Sequence, residues 1–355
     1  MIKYIPFLKF KQNEILGIGE LEQGIRNQIA PLFDIPRTQR IMDAKEIDRR
    51  LDLAETDLNK TTKQAPAYPF LIDNFDIDDS IDLYGVPQYR AILNRFCAHP
   101  IVPVIAFDRH VDHNDAALDH ITKKPGAIAI RLQPEDLASY NLTKINLNAI
   151  WPKLLNAKPS QIILLLDFRV MGDVEEAHKR SSDFLAKFLK EFSVSVLVVA
   201  GSIIPANITQ LIGTAAFKHA IRLEHSLWQA LRKTPGLEGM LYGDYGVVSP
   251  EYSDLDLDPK LMNNVSTPKV FYPYSDSFYI ERGRRFRTHG YGQYFSISDA
   301  IVKQPFFRGE PYSYGDKYIH DRSFLSALKP AKGGSPSTWI KSLTAAHVTF
   351  IVNSV

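Results

Sequence analysis

Apolar residues gather in short uninterrupted runs over the first 250 positions, and six of the runs stop on a charge. IPFL stops on Lys9, APLF on Asp34, PFLI on Asp73, VPVIAF on Asp108, AIAI on Arg131 and IILLL on Asp167. Continuous rather than alternating apolar runs mark strands covered on both faces, as in a parallel sheet flanked by helices. Between the runs the spacing turns helical. Ile15, Leu16, Ile18, Leu21 and Ile25 share one face of a predicted helix over about 13–28. Further helices are predicted near 44–59 and 87–97 and over DHNDAALDHITK, INLNAIWPKLL and EEAHKRSSDFLAKFLKEF. VSVLVVAG reads as a seventh strand, followed by a helix near 208–217, a short extended segment AIRLEHSLW, and MLYGDYG as the eighth strand. Eight such units predict an α/β protein, a TIM-like (β/α)8 barrel that closes rather than an open sheet.

From about Ser249 the pattern dissolves into Pro, Tyr, Ser, Asp and Gly with frequent aromatics. Residues 1–250 are therefore assigned to the barrel and 251–355 to a C-terminal aromatic and basic appendage. Its closing segment, TAAHVTFIVNSV, is expected to pack back on the body as a helix or strand. Composition changes this picture little: 355 residues, 45% hydrophobic and 23% charged, give a sizeable core, and a net charge of +2 neither demands nor excludes a nucleic-acid partner. The single cysteine, Cys97 in ILNRFCAH, is expected on a buried helix face and inert. No apolar stretch approaches about 18 residues and no signal-like leader opens the chain, so the expectation is a cytoplasmic protein without a membrane partner.

A strand places alternate side chains on one face, so Lys9 goes with Phe7, Asp34 with Leu32, Asp73 with Leu71 and Asp167 with Leu165. If the apolar partners fill the barrel, the charges crown its C-terminal mouth, where such barrels hold their sites. The competing reading makes each aspartate a helix cap or loop ion pair. In the functional reading Asp73, Asp167, Asp34 and Asp244 are the catalytic candidates, as acid, base or nucleophile. Lys9, Arg131, Arg169, Arg222, Glu224 and Tyr245 are the substrate- or anion-binding candidates, with Arg37 and Arg109 nearby. Arg222 and Glu224, two apart in an extended segment, would project together. GDYG at 243–246 sets Asp244 at the end of the last strand. Carboxylates alone would hold Mg²⁺ or Mn²⁺, but no DxD pair marks the strand ends and no metal ligand is assigned.

DRHVDHND, with His110 and His113, and His120 beyond it, has the letters of a metal cluster, but loop histidines and aspartates are more often solvated. The segment YIERGRRFRTHGYGQYFS sets Arg282, Arg284, Arg285 and Arg287 among Tyr279, Phe286, Tyr291, Tyr294 and Phe295. Cations beside stacking platforms suit a nucleic acid, and the same letters fit a solvated strand pair packed on the barrel. There is no P-loop, GxGxxG loop, zinc-finger spacing or nucleophile elbow.

Several of these residues together resemble the Beta protein family, found in phages and in bacterial mobile-element and defence loci. They are Tyr4-Ile5-Pro6-Phe7-Leu8-Lys9 with Glu14, Pro31-Leu32-Phe33-Asp34-Ile35, Gly243-Asp244-Tyr245-Gly246, and Trp339 followed by His347. Paired histidines near the C-terminus are frequent in that family; here Ala346 precedes His347. The resemblance implies a barrel and a phage or defence context, and no particular reaction. Two expectations follow. One is an enzyme hydrolysing a phosphodiester or N-glycosidic bond of a nucleotide or nucleic acid at the mouth. The other is a non-catalytic barrel binding a phage-derived ligand or protein, favoured if the mouth charges are fully paired among themselves.

Overall fold

The computed structural model describes residues 1–37, 42–62, 67–252, 265–327 and 332–355. The barrel strands are β1 (Tyr4–Lys9), β2 (Leu32–Asp34), β3 (Phe70–Asp73), β4 (Ile101–Ile105), β5 (Ala127–Leu132), β6 (Gln161–Val170), β7 (Val196–Ser202) and β9 (Leu241–Asp244). They close in that order, β9 pairing with both β7 and β1, and every pairing is parallel. The protein is thus a TIM-like (β/α)8 barrel. Ile5, Phe7, Leu32, Leu71, Val104, Ala129, Leu165, Val198 and Ala200 form the apolar filling, and the alternate residues face the helices. That register sends Lys9, Asp34, Asp73, Arg131 and Asp167 inward at the top of the barrel, each two residues beyond an apolar interior side chain.

The interval between β7 and β9 departs from the expected order. Only a short 3-10 turn, Ile208–Gln210, forms within the segment read as a helix. Ala216–Ile221 is strand β8, and the residues after it are a helix, Leu223–Arg232, rather than a continued extended segment. Strand β8 pairs outside the barrel, with β11 (Ser277–Arg282), which pairs in turn with β10 (Lys269–Tyr274). The second sheet therefore takes strands from both sides of residue 250, so that boundary divides the chain and not the fold.

TAAHVTFIVNSV lies in a helix, Pro336–Ser354, started by a capping box between Ser335 and Thr338 with Pro336 in the first turn. This helix packs on the helix Gln12–Gly19 of the first unit and on β10, so it lies between the barrel wall and the second sheet. Gly17 makes the first contact possible: a Cβ there would stand 2.9 Å from the Lys341 carbonyl oxygen. Cys97, expected on a buried helix face, is exposed beyond the end of the helix Gln88–Arg95. Among the described residues, no helix is long and apolar enough to cross a membrane.

Candidate functional site

Three parallel strands carry Lys9, Asp34 and Asp73 side by side in register, and β5 and β6 bring Arg131 and Asp167 across the barrel axis. Arg131 is fully buried at the centre. Its Nη1 donates to Asp34 Oδ1 and Asp73 Oδ2, each at 2.7 Å, while Nη2 and Nε donate to Asp167 Oδ2 at 2.7 and 3.0 Å. Tyr245, one residue past β9, accepts from Nη2 at 3.0 Å and donates to Asp167 at 2.6 Å. One guanidinium fork thus joins three carboxylates from three strands, a geometry that only arginine offers.

A second tier covers the first. Arg109 donates to Asp73 at 3.0 Å and pairs with the half-exposed Asp108. Lys9 pairs with Asp76 at 2.6 Å and donates to the Pro250 carbonyl, which also accepts from Arg169 at 2.8 Å. Phe75, from the loop after β3, sits among the guanidinium carbons of Arg109, Arg131 and Arg169 at 4.8, 4.4 and 4.3 Å from its ring centre. Arg169 holds a left-handed backbone, φ 50°, where β6 and β7 lose register, and its N–H donates to Asp167 Oδ1.

The cluster comprises four cations, Lys9, Arg109, Arg131 and Arg169, and four buried carboxylates, Asp34, Asp73, Asp76 and Asp167. Burial alone would push the carboxyls of Asp34, Asp73 and Asp167 up. Arg109 and Arg131 outweigh it at Asp73, and Arg131 and Arg169 at Asp167, so both are held below the ordinary range. At Asp34 burial prevails over Arg131 and Lys9, and its pKa is raised. The carboxylates, set against the cost of burial, hold the Arg131 guanidinium still more firmly protonated than usual. Within this cluster of described residues the charges are therefore paired among themselves, four against four.

Other candidates lie elsewhere. Asp244 faces outward from β9, away from the ring assigned to it. It accepts from Tyr4, from Tyr242 at 2.9 Å and from the Gly246 N–H, and lies 2.8 Å from His347 Nε2 on the C-terminal helix. His347 and those donors overcome burial and hold it down to about 2. Arg222 and Glu224 lie at the start of a helix in this same outward layer, and no ion pair joins them. The Arg222 Nη2 donates to the Ser275 carbonyl at 2.7 Å. Burial and the nearby Asp244 raise Glu224 to about 8.

The basic and aromatic segment is split as well. Arg282 is buried in β11, donating to the Ile212 carbonyl and Thr267, which removes it from any nucleic-acid face. Arg284, Arg285 and Arg287 are exposed, whereas Phe286, Tyr294 and Tyr279 turn into the second core. Tyr291 stays exposed and packs on Phe286. His113 is buried, stacked on Tyr89 and bonded to the Val104 carbonyl, and His110 caps a helix, so DRHVDHND is no metal cluster. Among the described residues, Glu310, His320 and Asp321 bring metal-type atoms together, with Lys317 paired to both carboxylates.

Beside the closed mouth is a cavity of about 410 Å³ between barrel and second sheet. Its apolar wall includes Ile204, Ile208, Phe271, Tyr294 and Trp339; Ser249, Glu251, Tyr252 and Thr267 add polar edges, and Lys9, Lys11 and Lys269 line it too. Among the described residues no carboxylate lies within ion-pair distance of Lys11 or Lys269. Desolvation lowers the pKa of both, at Lys11 against the pull of Glu14 and with the help of Lys9, and at Lys269 with the help of Arg282. Neither lysine was singled out from the sequence: one follows a strand and the other opens a strand far along the chain, and nothing in their spacing relates them. Phe75 and Asp76 carried no sequence signal for the mouth beyond following β3.

The fold and this geometry define a parallel (β/α)8-barrel protein with a self-neutralised mouth and a second sheet lodged beside it. The chain belongs to the Beta protein family, whose model matches residues 4–353. A comparison with curated protein sequences returned no match.

Proposed function

We propose that the protein is a binding barrel that takes a small anionic ligand with a planar apolar body, of the nucleotide class, in the cavity between barrel and second sheet. The observation that carries this reading is the pair Lys11 and Lys269: two lysines at the solvent-open edge of an apolar, ring-lined cavity, neither within ion-pair distance of a carboxylate among the described residues. An anion would pair with both ammonium groups, and about 410 Å³ is of the size that encloses a small ligand. The self-neutralised mouth supports binding over hydrolysis by Asp34, Asp73 and Asp167, each of which is ion-paired to Arg131. In the phage or defence setting that the family resemblance suggests, such a barrel would sense a nucleotide or phage-derived component.

Calorimetry with a panel of nucleoside mono- and diphosphates tests this. At least one should bind, Lys11→Ala and Lys269→Ala should each weaken it about tenfold, the effect of losing a charged hydrogen bond, and Arg284→Ala should not. Unchanged affinity in the double lysine variant would overturn the assignment. A second reading, hydrolysis, draws on Glu14. This residue is buried, is pushed up to about 7 by burial against the pull of Lys11, and lines a small void with Lys9 and Tyr245. Turnover of a bound nucleotide that is lost in Glu14→Gln would favour it.

A further inference from the structure

We infer that β8 is the seam of a homodimer, with two copies pairing antiparallel along Ala216–Ile221 to make one six-stranded sheet. Strand β8 is the outer strand of the order β10-β11-β8, and its register against β11 runs from Ala216 opposite Arg282 to Ile221 opposite Ser277. Main-chain parity shows which of its groups are open. The Gly283 N–H bonds the Pro268 carbonyl on the β10 side, so Ser277, Tyr279 and Glu281 also turn toward β10, leaving Phe278, Ile280 and Arg282 for β8. The Arg222 N–H bonds the Asp276 carbonyl, which sets Ala216, Lys218 and Ala220 toward β11 in the same way. The N–H and C=O groups of Phe217, His219 and Ile221 therefore point to the open edge, and among the described residues none takes part in another backbone hydrogen bond.

Among the described residues this edge carries little of the usual protection. It contains no proline and no bulge, and its one lysine, Lys218, is turned to the Leu211 carbonyl at 3.2 Å. Two large apolar side chains stand exposed on it, Phe217 at 66% and Ile221 at 57%. Their spacing makes the strand self-complementary. In a two-fold antiparallel pair, residues on the same face must oppose one another, so the axis passes through a residue. An axis at Lys218 would set lysine against lysine, and an axis at Ala220 would leave Phe217 without a partner residue in the strand. Of these, only an axis at His219 engages all three open residues; it pairs Phe217 with the second copy's Ile221 twice and sets no lysine against lysine. The aromatic platform formed around His219 by Tyr274, Tyr279 and Phe306 would then continue across the seam.

Light scattering on the full chain at roughly 100 µM should give twice the chain mass, falling toward the monomer on dilution. Phe217→Lys combined with Ile221→Lys puts like charges opposite each other at both apolar pairs and should leave a monomer with an unchanged far-UV circular dichroism spectrum. Should that variant fail to fold, Ile221→Pro removes only an open-edge N–H, spares the ladder to β11, and should have the same effect. A monomeric native chain at that concentration overturns the inference, and so does a dimer that persists in the folded edge variants. Amide exchange at Phe217, His219 and Ile221 that does not slow with rising concentration would also overturn it.

Discussion

A guanidinium buried under three carboxylates is stable only as a complete set, because each charge is costly to bury unless its partners are present. Arg131→Met would leave Asp34, Asp73 and Asp167 facing one another without their cation. The expected loss is at least about 3–5 kcal/mol in urea unfolding, with Arg131→Lys recovering little of it because an ammonium cannot bridge in two directions. A loss under about 1 kcal/mol in Arg131→Met would show that the mouth network is not what holds the strand ends together. Glu224 makes a separate test. Its folded pKa, near 8, lies above the ordinary glutamate value of 4.5, so its contribution is fully present below pH 4.5 and is lost as pH rises through about 8. Glu224→Gln should therefore gain melting temperature relative to the native chain as pH goes from 5 to 8.5. Comparing the two chains at each pH cancels His225, whose pKa is pushed down to about 4 and acts in the opposite sense on the acid side. An unchanged difference across that range would sink the assignment of a buried, neutral Glu224.

Between elements, close approach is bought with small residues. The helix Tyr314–Asp321 meets the C-terminal helix at Gly315, where an added Cβ would lie 2.1 Å from the Ser342 carbonyl oxygen and 2.6 Å from the Ala346 Cβ. Neither atom belongs to a flexible chain end, so the helices would have to separate. Gly315→Ala should cost on the order of 1–3 kcal/mol in spite of alanine's better helix propensity, as overpacking does. Stabilisation by this substitution would show that the two helices are free to shift. The same contact explains why Ala346, and not a larger residue, stands before His347: it occupies the seam while His347 turns to Asp244 and stacks on Phe278.

At the scale of the whole molecule, barrel and second sheet are one structure. Strand β8 leaves the barrel between β7 and β9 to join the sheet of β10 and β11, and the C-terminal helix returns to pack on β10, β1 and the first helix. A chain cut after residue 250 would expose the outward layer of Asp244, Tyr4 and Tyr242 and leave β8 without its neighbours. It should be insoluble or lack a cooperative unfolding transition, whereas a soluble, cooperatively folding 1–250 fragment would establish the barrel as independent. The cavity beside the mouth depends on the same arrangement, since Lys11 comes from the barrel and Lys269 from the second sheet.

The fold was legible in the sequence because burial on both faces leaves a local signature. Apolar runs that cannot be solvated on either side read as parallel strands, and their repetition predicted the closed barrel, including MLYGDYG as its last strand. The inward direction of Lys9, Asp34, Asp73, Arg131 and Asp167 was legible too, since a strand's period of two ties each to an apolar neighbour. Their relation to one another was not. Whether charges at a mouth await a ligand or neutralise each other depends on distances across the barrel, which closure sets and local sequence does not encode. Asp244 shows the limit clearly: at the end of a strand like the others, it differs by one step of parity, and that step turns it outward to His347, 103 residues away. The partners of β8, and the meeting of Lys11 with Lys269 beside one cavity, were likewise decided by tertiary structure. The reason is that a short stretch of sequence specifies which surfaces must be buried, and only the packed chain determines which charges are then left without a partner.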